Sequence, residues 1–381
     1  MTRRPGRSTI AIHGLPHRGE AGEPAVTPIY QSTTFRHAPG STDEVLYTRY
    51  GNNPTQLEVA RRYAALEGAE RAVFLGSGMA ATALAHLAVL RPGDHLVSSK
   101  WIYGGTRSLF EHEFTRHGIE LSYVDPDKPR DWRKALRKHT RAIFVEAVTN
   151  PLMRVVDLPA IAKVTADKGI ALLVDNTFTS PINFRPLEHG ADVVITSATK
   201  YLGGHSDVIA GAVAGSGPVI DEVVRLMRNW GPAIDPHAAW LVERGMKTLA
   251  LRVDRANANA KAVAEWAATR PEFTAVHWPG LASHPDHVLA RGMLDGFGGM
   301  VGLVLAGGAS AAQRFCSRLR LVLHATSLGG VESLVSEPRL TSHKAYTPEE
   351  RAALGIVDGF LRLSCGCEDP DDLIAALEGA L

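Results

Sequence analysis

The chain predicts an α/β protein with a large, mostly parallel sheet covered on both faces, followed by a smaller α/β unit. Three observations predict it. Between residues 72 and 213, short apolar runs alternate with helical stretches, the pattern of successive strand–crossover–strand units. A long helical stretch at 236–269 then precedes a second, shorter alternation. Finally, Gly76 to Gly78, Tyr103, Asn150, Asp175 and Lys200 each fall just after an apolar run, at the strand ends where α/β sheets place their ligands.

Taken in order, residues 1–46 carry little periodicity and are broken by Gly19, Gly22, Pro24, Pro28, Pro39 and Gly40, which reads as a tail, a lid or an arm. Pro54 and Thr55 open a helix, Leu57, Ala60, Tyr63, Ala64 and Leu66 give it an apolar face, and Gly68 ends it. Residues 72–75 form a strand, Gly76-Ser77-Gly78-Met79 a glycine-rich turn, and 80–90 an alanine-rich helix. Such a turn at a helix N-terminus can bind an anion, although most such turns only turn. Strands follow at 95–98, 119–124, 142–146, 170–174, 193–195 and 208–213. The helices between them run to about His117 and over 131–138 and 157–168. Beyond the 236–269 stretch come strands at 275–278, 301–305, 321–324 and 360–364, with helices at 309–319 and 370–379. The expected organisation is an arm and inter-subunit loop over 1–55, a large domain over 56–245, and a linking helix with a small domain over 246–381.

The strand at 193–195 ends in three hydroxyls, Thr196, Ser197 and Thr199, followed at once by Lys200 and then Gly203-Gly204. A lysine leaving a buried strand end among hydroxyls is placed to meet a phosphorylated aldehyde: the amine can form a Schiff base while the hydroxyls bind phosphate. A lone lysine is more often a solvated loop residue, but Asp175 ends another apolar run upstream and could pair with a protonated pyridine nitrogen. Together these residues make a pyridoxal-phosphate (PLP) constellation. Tyr47 and Arg49 could reach one phosphate together, or form a surface ion pair and a packed ring. Tyr103 could stack on a flat ring or pack in a core. Arg362, inside an apolar strand, needs an anion, either a structural carboxylate or the carboxylate of an amino-acid substrate.

Composition narrows the classes. A formal net charge of +1 gives no electrostatic case for nucleic acid or an anionic membrane. No apolar run reaches membrane-spanning length, and the basic start Met1-Thr2-Arg3-Arg4 is not followed by an apolar signal core. Three cysteines, Cys316, Cys365 and Cys367, argue against a disulfide framework, and Cys365-Gly-Cys367 lacks a second ligand pair for zinc. The expectation is a cytoplasmic enzyme with reduced thiols and no metal.

These residues resemble the cysteine/methionine-metabolism family of PLP enzymes, which includes the cystathionine γ-lyases, β-lyases and γ-synthases, the methionine γ-lyases and the homoserine-ester sulfhydrylases. Ser197-Ala198-Thr199-Lys200-Tyr201, Tyr47-x-Arg49, Asp175 and Ser327-Leu328-Gly329-Gly330 carry the resemblance, which runs from Pro28 to Ser364. It implies the type I aminotransferase-like fold and a homotetramer built as a dimer of dimers. It further implies Lys200 as the Schiff-base lysine and Asp175 as the partner of the pyridine nitrogen. Tyr103 would stack on the ring and exchange protons, Asn150 would contact the ring hydroxyl, and Gly78, Met79, Ser197 and Thr199 would hold the phosphate. Tyr47 and Arg49 would reach that phosphate from the neighbouring subunit. Arg362 and Ser327 would hold the substrate carboxylate, with Asn150 and Glu332 also on the substrate side. One departure is an extra residue between Arg49 and Pro54, where the family usually reads Tyr-x-Arg-x-x-Asn-Pro-Thr.

Within the family, Gly105 stands where methionine γ-lyases often carry a cysteine, and Glu332 resembles the γ-cleaving and γ-synthesising cystathionine enzymes. The segment 346–351 looks equally like methionine γ-lyase. The expected reaction is α,γ-elimination of L-cystathionine. Methionine γ-cleavage, a γ-replacement transferase and a non-catalytic binding protein of the same fold are the competing expectations.

Overall fold

The computed structural model describes residues 5–15, 21–166, 168–344 and 346–381; Met1 to Arg4 and Gly19 lie outside the described residues. Seven strands, β1 (Arg71–Leu75), β2 (His95–Ser99), β3 (Glu120–Val124), β4 (Thr140–Glu146), β5 (Ala171–Asp175), β6 (Val193–Thr196) and β7 (Gly211–Gly215), form one sheet in the order β1-β7-β6-β5-β4-β2-β3. Neighbours from β6 to β3 are parallel, while β7 runs antiparallel to both β1 and β6.

Both faces of this sheet are covered, which explains why its strands read as unbroken apolar runs. Ile143, Val145, Leu172, Val174 and Val194 face one core with Tyr63 and Met246. Phe144, Leu173, Val193 and Ile195 face the other with Leu84, Phe110 and Met227. The order reverses between β2 and β4. The chain leaves β2 toward β3 on one side and leaves β4 toward β5 on the other, so a crevice opens at their carboxyl ends.

Local signals set the helices beside the crevice. Helix Pro54–Glu67 starts with Pro54 behind Asn53, which forms a capping box with Gln56, and stops at left-handed Gly68 (φ 73°). Helix Gly78–Val89 is capped by Ser77, whose side chain accepts from the Ala80 N–H. The second sheet comprises β8 (Phe273–His277), β9 (Met300–Leu305), β10 (Leu323–His324), β11 (Leu334–Ser336) and β12 (Phe360–Ser364), in the order β10-β11-β12-β9-β8. It is antiparallel except for β10–β11, and β11 was not expected from the sequence.

Other elements differ from expectation for identifiable reasons. Helix Arg7–His13 lies in the segment expected to be irregular; Ile10 and Ala11 are buried against helix Pro54–Glu67, so its order comes from packing. The strand expected at 208–213 lies at β7 instead. Ala210 is held off the sheet because its N–H donates to Thr199 Oγ1 and its carbonyl accepts from the Thr199 N–H. The 236–269 stretch is two helices, Pro236–Met246 and Leu249–Ala267. At the break, the Gly245 carbonyl accepts from the Thr248 N–H, the Thr248 hydroxyl and Arg252, which replaces the regular helical bond. The helix expected to reach about His117 runs to Arg116, and what was not expected is the π-helical turn Leu109–Phe114 within it, after Gly104–Ser108. Among the described residues no helix is long and apolar enough to cross a membrane.

Candidate active site

At the carboxyl ends of these strands lies a cavity of about 490 Å³. Ten of the residues named from the sequence line it: Gly78, Met79, Tyr103, Asn150, Asp175, Ser197, Thr199, Lys200, Ser327 and Arg362. They come from five strand exits of the large sheet and from two segments of the second one, so only the closed fold assembles them.

The exit of β6 turns tightly. The Lys200 N–H donates to the Ser197 carbonyl (3.1 Å), and Thr199 is tied to Ala210. This directs Lys200 into the cavity, where Nζ donates to Ser327 Oγ at 2.8 Å. Burial, then the nearby Arg362 guanidinium, pull the amine down to about 8. Ser327 is in the left-handed region (φ 81°), a conformation that costs a non-glycine residue on the order of 1 kcal/mol or more. It sits just before Leu328-Gly329-Gly330, where the chain passes over Tyr201: a Cβ on Gly329 would lie 2.8 Å from the Tyr201 nitrogen.

At the end of β5, Asp175 Oδ1 accepts from the Thr177 N–H (2.8 Å), and burial raises its pKa. Thr177 Oγ1 in turn accepts from the Ser197 N–H (2.9 Å), which joins the β5 and β6 exits. After β4, Asn150 Oδ1 accepts from Arg362 at 3.0 Å. Arg362 also donates to the Ser327 carbonyl (3.0 Å), yet its buried Nε has no hydrogen-bond partner. A buried guanidinium held only by neutral acceptors is a cation left without an anion partner. Among the described residues no carboxylate pairs with Arg362.

Tyr47, Arg49 and Glu332 do not line this cavity. Arg49 lies over the Tyr47 and Tyr50 rings (5.4 and 5.1 Å) and donates to the Arg228 carbonyl at 2.5 Å. The extra residue of this loop is absorbed locally: Asn52 accepts from the Tyr47 N–H while Asn53 caps the next helix. Glu332 accepts from the exposed Ser206 hydroxyl. Ser77, inside the turn read as an anion site, lines the cavity too, whereas Glu146, Thr177, Thr341 and Ser342 line it and were not singled out. For Glu146 a signal existed, because it is an acidic residue ending a buried strand, as Asp175 is.

The residues present fit PLP. The N-terminus of helix Gly78–Val89 and the hydroxyls of Ser77, Ser197 and Thr199 suit a phosphate. A Cβ at residue 78 would stand 2.8 Å from the Ser197 side chain, so only glycine leaves that cradle open. Asp175 would supply an acid at the end of β5 for a ring nitrogen, and Lys200 an amine for an aldehyde.

This fold and donor set define a PLP-dependent enzyme. The chain belongs to the Cys/Met metabolism PLP-dependent enzyme family, whose model matches residues 8–381. L-methionine gamma-lyase of Pseudomonas putida is 40% identical over 388 residues, covering 99% of this chain and 97% of its own. Cystathionine gamma-synthase of Mycobacterium bovis is 42% identical over 379 residues, with 99% and 97% covered. The crystal structure of cystathionine gamma-lyase from Lactobacillus plantarum complexed with L-serine superposes with a TM-score of 0.93 at 34% identity, covering 99% of this chain and 98% of that one.

Proposed function

We propose that the enzyme cleaves the γ-carbon–sulfur bond of L-cystathionine. With one water, the products are cysteine, 2-oxobutyrate and ammonia. The observation that carries an elimination on an amino acid is the convergence in one cavity of the Lys200 amine and the Arg362 guanidinium, which no carboxylate of the described residues pairs. Bound PLP supplies an electron sink for charge developing at the substrate α-carbon. The chain's own residues do the rest. Arg362 and Ser327 hold the substrate carboxylate, and Asp175 accepts the ring N–H. The Lys200 amine takes the α-proton and then moves a proton from the β-carbon. Tyr103 gives the proton that the departing sulfur needs, and Gly78, Met79, Ser197 and Thr199 grip the phosphate.

The neighbouring subunit completes the site. Tyr47 and Arg49 stand outside their own chain's cavity, on a loop following an arm with exposed Ile29, Tyr30 and Val45. This supports a homo-oligomer; the family resemblance makes it a dimer of dimers, and three free cysteines suit the reducing cytoplasm. Arg49 lies over the Tyr47 ring at 5.4 Å, so the two stand together.

Cystathionine is favoured over methionine by Gly105. A Cβ at that position would lie 2.5 Å from the Tyr103 ring, so the ring rests directly on the glycine. The second reading is methionine γ-cleavage or γ-replacement on a homoserine ester, supported by the relatives named above. Purified PLP-loaded protein given L-cystathionine should release 2-oxobutyrate. Pyruvate would mean β-cleavage, 2-oxobutyrate from L-methionine alone would favour the methionine reading, and no keto acid from either would favour the transferase.

A further inference from the structure

Glu146 ends β4 and Asp175 ends β5, and the two residues pair in register across parallel strands. Register partners in a parallel pair project to the same face, so two carboxyl groups stand together at the cavity floor. Glu146 is 5% exposed, and among the described residues its carboxyl oxygens meet backbone N–H groups rather than a cation. Burying it next to Asp175 is unfavourable, and both burial and Asp175 push its pKa up. An apolar side chain would pack there without that cost, so the carboxyl needs a reason.

The reason lies in its two partners. One carboxyl oxygen, Oε1, accepts the Tyr103 N–H at 2.5 Å, and the other, Oε2, accepts the Asn150 N–H at 3.0 Å. Tyr103 follows β2 and Asn150 follows β4, the two strands between which the sheet order reverses. Their loops diverge there, and Glu146 bridges the gap with one fork of two acceptors.

We propose that Glu146 is a positioning residue that fixes Tyr103 and Asn150 relative to each other across the crevice, so that both meet one cofactor ring. The proposal rests on the reading of Tyr103 and Asn150 as ring contacts. It requires both carboxyl oxygens. A carboxamide has one acceptor oxygen and would turn its NH₂ toward the other loop's N–H. Aspartate keeps two acceptors but is one methylene short. Glutamine is therefore a poor replacement here, although it matches glutamate in size and removes the like charge beside Asp175.

The test compares wild type, Glu146→Gln and Glu146→Asp by PLP titration and by the circular dichroism of the bound cofactor, which reports ring orientation. Far-ultraviolet spectra and melts check the fold. A folded Glu146→Gln protein should bind PLP roughly tenfold more weakly or worse, as expected for losing a buried hydrogen bond and leaving one loop N–H unsatisfied, with altered cofactor dichroism. Wild-type affinity and dichroism in that variant would overturn the proposal. Should Glu146→Gln not fold, Glu146→Asp carries the test, and wild-type cofactor dichroism there would overturn it equally. Tyr103→Leu and Asn150→Ala separate the two levels. If neither changes the cofactor dichroism, or if wild type takes up no PLP, the reading of the ring contacts itself falls.

Discussion

Raising the pH over cofactor-free protein should switch on Lys200 far below the ordinary lysine range. Only the free amine attacks an aldehyde. Burial and Arg362 move the group from 10.5 to about 8. At pH 7 the free-amine fraction then rises from roughly 0.0003 to about 0.09, a gain of about 300-fold in competent protein. The assay is the initial rate of PLP capture, followed by absorbance from pH 6 to 10. N-acetyl-lysine measured in parallel corrects for the cofactor's own titration. The rate should climb about tenfold per pH unit and level off above about 8. Arg362→Gln removes the second cause of the shift, so its midpoint should move up yet stay below 10.5, because burial remains the larger cause. The same shift acts on stability. Below about pH 8 the ammonium is buried charged and its cost is fully present. Between about 8 and 10.5 the unfolded chain binds more protons than the folded one, so stability rises with pH. A wild-type midpoint near 10.5, or a rate flat from pH 6 to 9, would refute the reasoning.

Three further outcomes follow from the packing and the site. Phe144 is fully buried, edge-on to Phe110 and His86 at 5.5 and 4.9 Å, and Phe144→Ala should cost about 3–5 kcal/mol in denaturant unfolding. Asn53 caps its helix and also donates to the Tyr30 carbonyl (2.7 Å), so Asn53→Ala should cost about 1–2 kcal/mol and expose the 21–46 arm to limited proteolysis. A melt and cleavage pattern unchanged from wild type would count against that role. Lys200→Ala and Arg49→Ala should each be inactive alone. Refolded together in equal amounts they should recover about a quarter of the sites if each site draws on two chains. No recovery, with mixed oligomers demonstrated, would place Arg49 outside the shared site.

What the sequence made legible was local. Lys200 and Asp175 each announce themselves as a polar residue at the end of an apolar run, and Asn53, Pro54 and Gly68 mark a helix within one stretch of chain. Where strands run parallel that information goes far, because their exits open on the same edge, so eight of the ten site residues follow strands of the large sheet; Arg362, inside an apolar run, and Ser327, from the family resemblance, belong to the second sheet's segments. Tertiary structure decided whatever needed a distant partner. Helix Arg7–His13 exists because Ile10 and Ala11 find a buried surface, and the two-residue gap after Met246 exists because Arg252 and Thr248 claim one carbonyl. Tyr47 and Arg49 are clear as a motif, yet their distance from their own cavity shows only in the fold. Glu146 read as the end of a strand, and its task appeared only when two diverging loops placed their N–H groups on its two oxygens. Caps and apolar runs act over a few residues and are written in order along the chain. A hydrogen bond between loops 43 residues apart is set by sheet order, which periodicity does not encode.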